Sequence, residues 1–522
     1  MSETINVLET GAVGDGSVDD RPAIQAQIDA CEARGGGTIY FPARDFLLNS
    51  WVQADHPWQF FNLSVGSNVI LMGAPGARLL QGPKGIHPAG SDWTFVRNTV
   101  LQIGPHASWI RWQDPECNGG WRPAEPVKVN SNVVTLKNPL DAIDFTAGDW
   151  IGVYESDPPP GDSAVYRSEF QQILAVDDDT GAITVRDRFA RSFPTAYACN
   201  ITPLVTQGVT IQGLTIEGTE PLAVMEAIDC SIRRCELVSN TAISEQKNTF
   251  GLNINSVRNY MCEEVQIYSV AGGAPIVYEI AQRNSGYFTY QDCTFQAKAI
   301  GLGEYANHCK FATNECHLYP DESVDVAVVI GGADVVVAGN SLNCGEFSRS
   351  SGAVLSDFVG PNSYAAFVTH GRFLGNSIVY SAAKSGAGMS AIHIKGSESS
   401  VENNMIEDVG QESTCGVKAE GPGVMAIRIS GNRIDLPAPK SIGLSVLPGL
   451  NVDCAVIAAN TIKANGKGDR GILIGSGNSD PAAGGHSITG NVVMGFKQPL
   501  TCNYDLHPGT SVIGNPDIPD HM

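Results

Sequence analysis

From residue 340 onward the chain repeats a short polar–apolar pattern: asparagine, any residue, then leucine, isoleucine or valine. The asparagines are Asn340, Asn376, Asn404, Asn432, Asn460 and Asn491, each followed two positions on by Leu342, Ile378, Ile406, Ile434, Ile462 or Val493. The intervals are 36, 28, 28, 28 and 31 residues. Upstream, Cys316 with Leu318, Cys293 with Phe295, Val265 with Ile267, Cys235 with Leu237 and Leu214 with Ile216 occupy the same slot at spacings of 21 to 30 residues, giving eleven coils. A repeat of this length built from helices needs a 3.6-residue apolar period. The intervening segments instead alternate with period two, as in residues 251–256, 391–396 and 471–477. Short strands separated by glycine and polar turns predict an all-β chain, wound as a right-handed parallel β-helix. Each coil then adds a rung about 4.8 Å along the axis. Stacked asparagines have a physical reason, because each amide can bond the next rung and the local backbone where a tight turn would otherwise bury unpaired polar groups.

An open end of such a stack exposes apolar side chains and unpaired strand edges. Residues Asp20 to Arg34 predict a capping helix: Asp19 or Asp20 as N-cap, Pro22 in the first turn, and Ala23, Ile24, Gln27, Ile28 and Cys31 on one face. Gly35, Gly36 and Gly37 stop it, and residues 38–42 read as a first strand. The expected organisation is a cap over 1–50, Trp-rich first coils over 51–123, a small β insertion over 124–205, the parallel β-helix over 206–504 and a closing segment over 505–522. The insertion carries a hairpin signal at 173–187, where Asp178, Asp179, Thr180 and Gly181 form the turn. All seven tryptophans, Trp51, Trp58, Trp93, Trp109, Trp112, Trp121 and Trp150, fall in the first 150 residues, either as core or as platforms for sugar rings.

Composition narrows the function classes. The net charge is −22 over 522 residues, which opposes nucleic acid as the main partner, since phosphate binding needs a basic stripe. No apolar stretch is long enough to span a bilayer, so no membrane partner is expected. The N-terminus lacks a basic and apolar leader, which suggests cytoplasmic synthesis, with later release or assembly into a virion left open. Thirteen cysteines without zinc-like spacing are expected to be buried, reduced thiols. Neither a cofactor nor a metal is expected: there is no nucleotide fingerprint, P-loop, nucleophile elbow or paired-histidine spacing.

The opening residues carry a more specific signal. Gly11-Ala12-Val13-Gly14-Asp15-Gly16, then Asp19-Asp20, Ala23-Ile24-Gln25 and Gly36-Gly37-Thr38-Ile39-Tyr40-Phe41-Pro42 resemble the start of the pectate-lyase-like superfamily. That group includes rhamnogalacturonases, mannuronan epimerases, fructotransferases and phage tailspike depolymerases. The resemblance implies the β-helix fold, a polysaccharide substrate and, by analogy with tailspikes and fructotransferases, a homotrimer. It does not select a reaction. The compact Tyr-Asp-His motif of the epimerases is not found: Tyr154-Glu155-Ser156-Asp157-Pro158 lacks the histidine.

Carboxylates on stacked strands supply the remaining chemistry. Residues 222–229, 250–256, 275–282 and 300–307 read as successive rungs. On that reading Glu226, Glu279 and Glu304 share one outer face and serve as catalytic acid and base, with Asn253, Asn255, Tyr278, Arg283, Tyr305 and His308 binding substrate. Carboxyls about 5 Å apart suit a retaining glycosidase, and about 6.5–9.5 Å suits an inverting one. The expected activity is therefore a glycoside hydrolase. A polysaccharide lyase would instead draw on Lys247, Arg283, His308, Lys310, His370, His393 or Lys395, and a fructotransferase or a non-catalytic glycan-binding β-helix are the other readings.

Overall fold

The computed structural model describes residues 4–53, 59–88, 97–104, 121–155, 167–189, 192–202, 205–240, 250–271, 276–279, 286–301, 308–319, 326–329, 334–347, 352–355, 368–382, 390–394, 396–410, 414–421, 426–448, 455–475, 486–502 and 510–516. The chain forms two compact units, Met1–Thr289 and Tyr290–Met522. Each is built of short parallel strands in right-handed β-helical coils.

In the second unit the repeat is a hydrogen-bonded ladder of Asn314, Asn340, Asn376, Asn404, Asn432, Asn460, Asn491 and Asn515, all buried. Asn404 shows the pattern: its Oδ1 accepts from the backbone N–H and the Nδ2 of Asn376, both at 2.9 Å. Its Nδ2 donates to Phe373 O and to Asn432 Oδ1, again at 2.9 Å. Every hydrogen-bonding site of the amide is thus used, which is what a buried polar group requires. The residue before each asparagine is left-handed, from Thr313 (φ 54°) and Gly339 (φ 64°) to Gly490 (φ 64°) and Gly514 (φ 65°). This backbone reversal turns the chain from one strand into the next, and glycine adopts it without strain.

Two details of the repeat differ from the reading of the sequence. Cys316 is the register partner of both Phe295 and Leu342, so it fills the aliphatic place and Asn314 the amide place. The slot expected at Cys316 and Leu318 therefore moves back by two residues. Asn515 adds a further member, with the Ser511–Ile513 strand paired to Ser487–Thr489, so the corner recurs beyond the eleven coils counted from the pattern.

In the first unit Leu214, Cys235 and Val265 hold the same corner, and Ile216, Leu237 and Ile267 are register partners on successive rungs. Packing replaces the amide ladder there. Earlier rungs are Gly37–Phe41 against Val69–Gly73, and Asp45–Leu48 against Arg78–Gln81. Helix Arg21–Ala33 buries Ile24, Gln25, Gln27, Ile28 and Cys31. Gln25 clamps the strand end, donating to Ser64 O and accepting from Ser64 N, both at 2.9 Å. Asp20 does not cap the helix with its side chain; its carboxylate, buried to 1%, accepts from Val13 N at 2.6 Å and Gly14 N at 3.0 Å. The opening motif is thus a loop staple. Gly36 (φ 116°) lies where a Cβ would strike the backbone of Asn68, so glycine is needed for that approach.

The small β insertion is a six-stranded antiparallel sheet. Its strand order is Arg122–Ala124, Ala196–Asn200, Trp150–Glu155, Arg167–Asp177, Ala182–Val185, Val133–Thr135. Val134, Ile151, Val153, Ile183, Phe189 and Phe193 form its own core. The hairpin turn is held by Asp177 Oδ1, which accepts from Asp179 N and Thr180 N, with Gly181 left-handed. No helix among the described residues is long and apolar enough to cross a membrane.

Candidate functional site

Three parallel strands of the first unit, Glu220–Arg233, Phe250–Glu263 and Ile276–Glu279, carry the predicted rungs 222–229, 250–256 and 275–282, and Gln59–Val65 and Arg97–Ile103 precede them in register. Leu63, Leu101, Leu222 and Leu252 form one core column, and Val65, Ile103, Val224 and Ile254 another. Between them, on the alternate face, run Ser64, Gln102, Ala223 and Asn253, and Tyr278 continues the register. Side-chain alternation along a strand makes this column the one with chemistry to offer. Asn253 is fully buried and its Nδ2 donates to Glu220 Oε1 at 2.9 Å. Glu220 is itself buried to 4%, and its backbone partner is Thr99. Asn253 Oδ1 and Thr99 Oγ1 are buried without a hydrogen-bond partner among the described residues. Buried polar atoms normally find one, from protein or from ordered water.

Glu226 was expected on an outer face in line with Glu279. The register separates them. Met225 pairs with Asn255 and Ala227 with Val257, leaving Glu226 at an interruption of the ladder with φ 48°. Its carboxyl is buried (1% exposed), and its charge is one of the influences that keep the fully enclosed Tyr154 phenol well above the ordinary tyrosine value, burial being the largest. Glu279 lies in register with Ile254 and hence Val224, two residues short of Glu226. Two rungs and two residues put their backbones roughly 12 Å apart. Asn253, grouped with Glu226 in the sequence reading, bonds Glu220 instead. The side chains of Asn255, Tyr278 and Glu279, and all of Lys247, Arg283, Glu304, Tyr305 and Lys395, lie outside the described residues.

A buried cation joins the insertion to the coils of this unit. Arg258, 2% exposed, donates to Phe170 O and to Asp187 Oδ2, the latter at 2.7 Å. Its guanidinium lies 4.1 Å from the ring centre of Tyr287 and 5.5 Å from that of Trp150. Arg258 is thereby committed to the seam. Trp150 and Tyr154 are buried in the same seam, with Trp121 packed against them. Trp58, Trp93, Trp109 and Trp112 lie outside the described residues.

His308 belongs to the second unit, in a row of left-handed corner residues with Asp334, His370 and Glu398. His308 Nδ1 is 3.3 Å from Asp334 Oδ2, His370 Nδ1 is 3.1 Å from Asp334 Oδ1, and His370 Nε2 is 2.6 Å from Glu398 Oε2. These four side chains tie successive corners together. Lys310 is exposed and donates to Gln291, and His393 is buried in a strand. Among the described residues no group of three or more His, Cys, Asp or Glu side chains is arranged to hold a metal ion.

Sequence reasoning missed Glu220 and Thr99. Glu220 meets Asn253 although its place in the register falls opposite residue 250, three positions away, so no column read from the sequence brings them together.

Comparison with known proteins agrees with this architecture. Residues 4–87 match the sequence model of the family described as rhamnogalacturonase A/epimerase, pectate lyase-like. The mannuronan C5-epimerase AlgE1 of Azotobacter vinelandii is 61% identical over 44 residues, 8% of this chain and 3% of that protein. Rhamnogalacturonase A of Aspergillus aculeatus is 43% identical over 51 residues, 10% of this chain and 11% of that one. The chain therefore spans only a small part of these relatives' length. The tailspike protein gp49 of Pseudomonas phage LKA1 superimposes with a TM-score of 0.51 at 12% identity, covering 95% of this chain and 84% of the tailspike. With its coils, its cap and its opening motif in place, the chain is a right-handed parallel β-helix protein whose first coils are similar to the rhamnogalacturonase A/epimerase, pectate lyase-like family.

Proposed function

We propose that the protein is a carbohydrate-active enzyme that hydrolyses glycosidic bonds of a polysaccharide, using carboxylates on the strand face of the first unit. The observation that carries this reading is the register that places Glu226 and Glu279 two rungs and two residues apart, on the strands that flank the one carrying Asn253. Glu220 and Glu226 lie six residues apart on one strand, about 20 Å at the usual rise, too far to work as a pair. Glu226 and Glu279 start from roughly 12 Å, and two glutamate side chains can close that to the separation of about 6.5–9.5 Å used by inverting enzymes. In this arrangement Glu226, enclosed by protein, is the general acid and Glu279 the base that activates water. The substrate-binding roles of Asn255, Tyr278 and Arg283 belong to the same proposal; Glu304, Tyr305 and His308 fall in the second unit and are not assigned to this site.

Relatives that match over short stretches are named as a mannuronan epimerase, an alginate lyase and a rhamnogalacturonase, which supports a polysaccharide as substrate. Epimerisation and elimination both need a cation beside the uronate. Arg258, the buried cation of the described strand face, is held by Asp187 and is not assigned that role. A homotrimer, as the resemblance implies, belongs to the same proposal.

Glu226→Gln and Glu279→Gln test the assignment. Each is expected to lower release of reducing ends by about 100-fold or more, with the fold intact by circular dichroism. Unchanged turnover in either variant removes that residue from the mechanism. New absorbance near 235 nm would replace hydrolysis with elimination.

A further inference from the structure

The described tryptophans do not share one role. Trp150 is 4% exposed and Trp121 packs on the seam, but Trp51 stands 37% exposed on the first unit. It is not loosely attached. Its ring meets Phe60 edge-on at 5.1 Å and His87 edge-on at 4.8 Å, and Phe60 and His87 stack face to face at 3.7 Å and 5°. Burial lowers the His87 value from that of an ordinary histidine, so the ring beneath the indole favours its uncharged form.

The loops carrying these rings are braced by buried amides. Asn62 Nδ2 donates to Ser50 O and to Gly85 O, both at 2.8 Å, and Gln81 Nε2 donates to Asn62 Oδ1 at 2.9 Å. Gln81 Oε1 accepts from Thr219 N and Oγ1, and Asn98 Oδ1 accepts from His87 N at 2.8 Å. Asn49 Oδ1 accepts from Lys84 N at 3.0 Å. This network fixes the backbone just before Trp51 and at His87. A network of fully engaged buried amides rigidifies what it supports. Here it supports a surface indole, and Ser50 Oγ and His87 Nδ1 have no hydrogen-bond partner among the described residues. A rigid, half-exposed indole offers a large contact face at little entropic cost on binding.

We propose that Trp51, held on Phe60 and His87, is a glycan-stacking platform that receives the C–H face of a pyranose ring, apart from the strand face that carries Glu226 and Glu279. The assignment rests on the reading that the protein acts on a polysaccharide. The platform holds the chain without taking part in bond cleavage, so its loss weakens retention and raises KM while sparing kcat.

Trp51→Ala and Trp51→Phe are compared with wild type in affinity electrophoresis through gels containing dextran, mannan, xylan, alginate or polygalacturonate. KM and kcat are measured on any of these that is cleaved. The alanine variant is expected to lose about tenfold in affinity, and the phenylalanine variant about threefold, with kcat within about twofold of wild type. The phenylalanine variant keeps an aromatic ring on Phe60 and His87, so a selective effect of alanine is not lost in a folding defect. Equal retention and equal KM in the alanine variant, with products still released, overturn the platform and leave the hydrolase reading standing. Retention lost on removing Trp51, in a protein that releases no product, supports the platform and overturns hydrolysis. A wild type that neither binds nor cleaves any of the glycans counts against both.

Discussion

The side-chain amide of Asn404 is bonded to that of Asn432 at 2.9 Å, and the backbone N–H of Asn404 donates to the same Asn432 oxygen. One residue type therefore closes the turn of its own coil and sets the position of its neighbour. Asn432 passes the arrangement on, donating to Val401 O at 2.8 Å and to Asn460 Oδ1 at 2.9 Å.

Replacing Asn432 by alanine strands the backbone N–H of Asn404 and one N–H of its side-chain amide and removes the amide donor to Val401 O, while Asn460 Oδ1 keeps the backbone N–H of residue 432. Leaving buried donors and acceptors unpaired costs about 1–3 kcal/mol each, so the loss should exceed about 3 kcal/mol. Urea unfolding measures it. Asn403→Ala, at an exposed left-handed position beside the ladder, is expected to cost about 1 kcal/mol from backbone strain alone.

Much of the fold was legible because this chemistry is concentrated at one position per coil. The pattern failed at Asn314, where the aliphatic place is taken by Cys316, a residue that packs like a small hydrophobe but does not look like one in the sequence. The site was less legible. Strand alternation located the rungs around Leu252 and Ile254, yet one left-handed residue at Glu226 interrupts the ladder, with the same register resuming at Ala227. Such a break leaves no mark in the period-two pattern. The opening motif identified the fold through Asp20, whose work is structural. It says nothing about the reaction.

Arg258 should be the residue on which attachment of the insertion depends most. Arg258→Ala removes the bonds to Asp187 and Phe170 O and the contacts with the Tyr287 and Trp150 rings. Deleting one partner of a buried charge pair costs about 3–5 kcal/mol. Because Asp187 is 38% exposed, a value near the lower end is expected. Limited proteolysis should cut within residues 124–205 first in the variant, and equal resistance to wild type would count against the clasp.

The thiols should be inert in the native protein. The ten described cysteines are all buried, and none is in a disulfide. Burial pushes Cys230 and Cys344 up to about 12 and Cys235 up to about 11, which leaves almost no thiolate near neutral pH. Titration with a thiol reagent should label no more than the remaining three of the thirteen before unfolding, and all thirteen in denaturant without reductant.

Asp408 should give the second unit a pH-dependent term. It is buried at 1% exposure, accepting from Thr414 Oγ1 at 2.6 Å and Gly410 N at 2.8 Å, and burial raises its carboxyl above the ordinary value despite both bonds. A carboxyl raised on folding binds its proton more tightly in the folded state. Its stabilising contribution is complete below the unfolded value and fades as pH rises through the folded one. Asp408→Asn should therefore gain stability relative to wild type between pH 4 and pH 7, as read from urea midpoints. A constant or opposite difference would contradict this.

Digestion of a cleavable polysaccharide in water enriched in oxygen-18, with mass spectrometry of the fragments, tests the central claim most directly. Hydrolysis predicts one heavy oxygen at each new reducing end and fragments heavier than the glycan repeat by one water. Fragments without the label, carrying an unsaturated end or a transferred sugar, would contradict it.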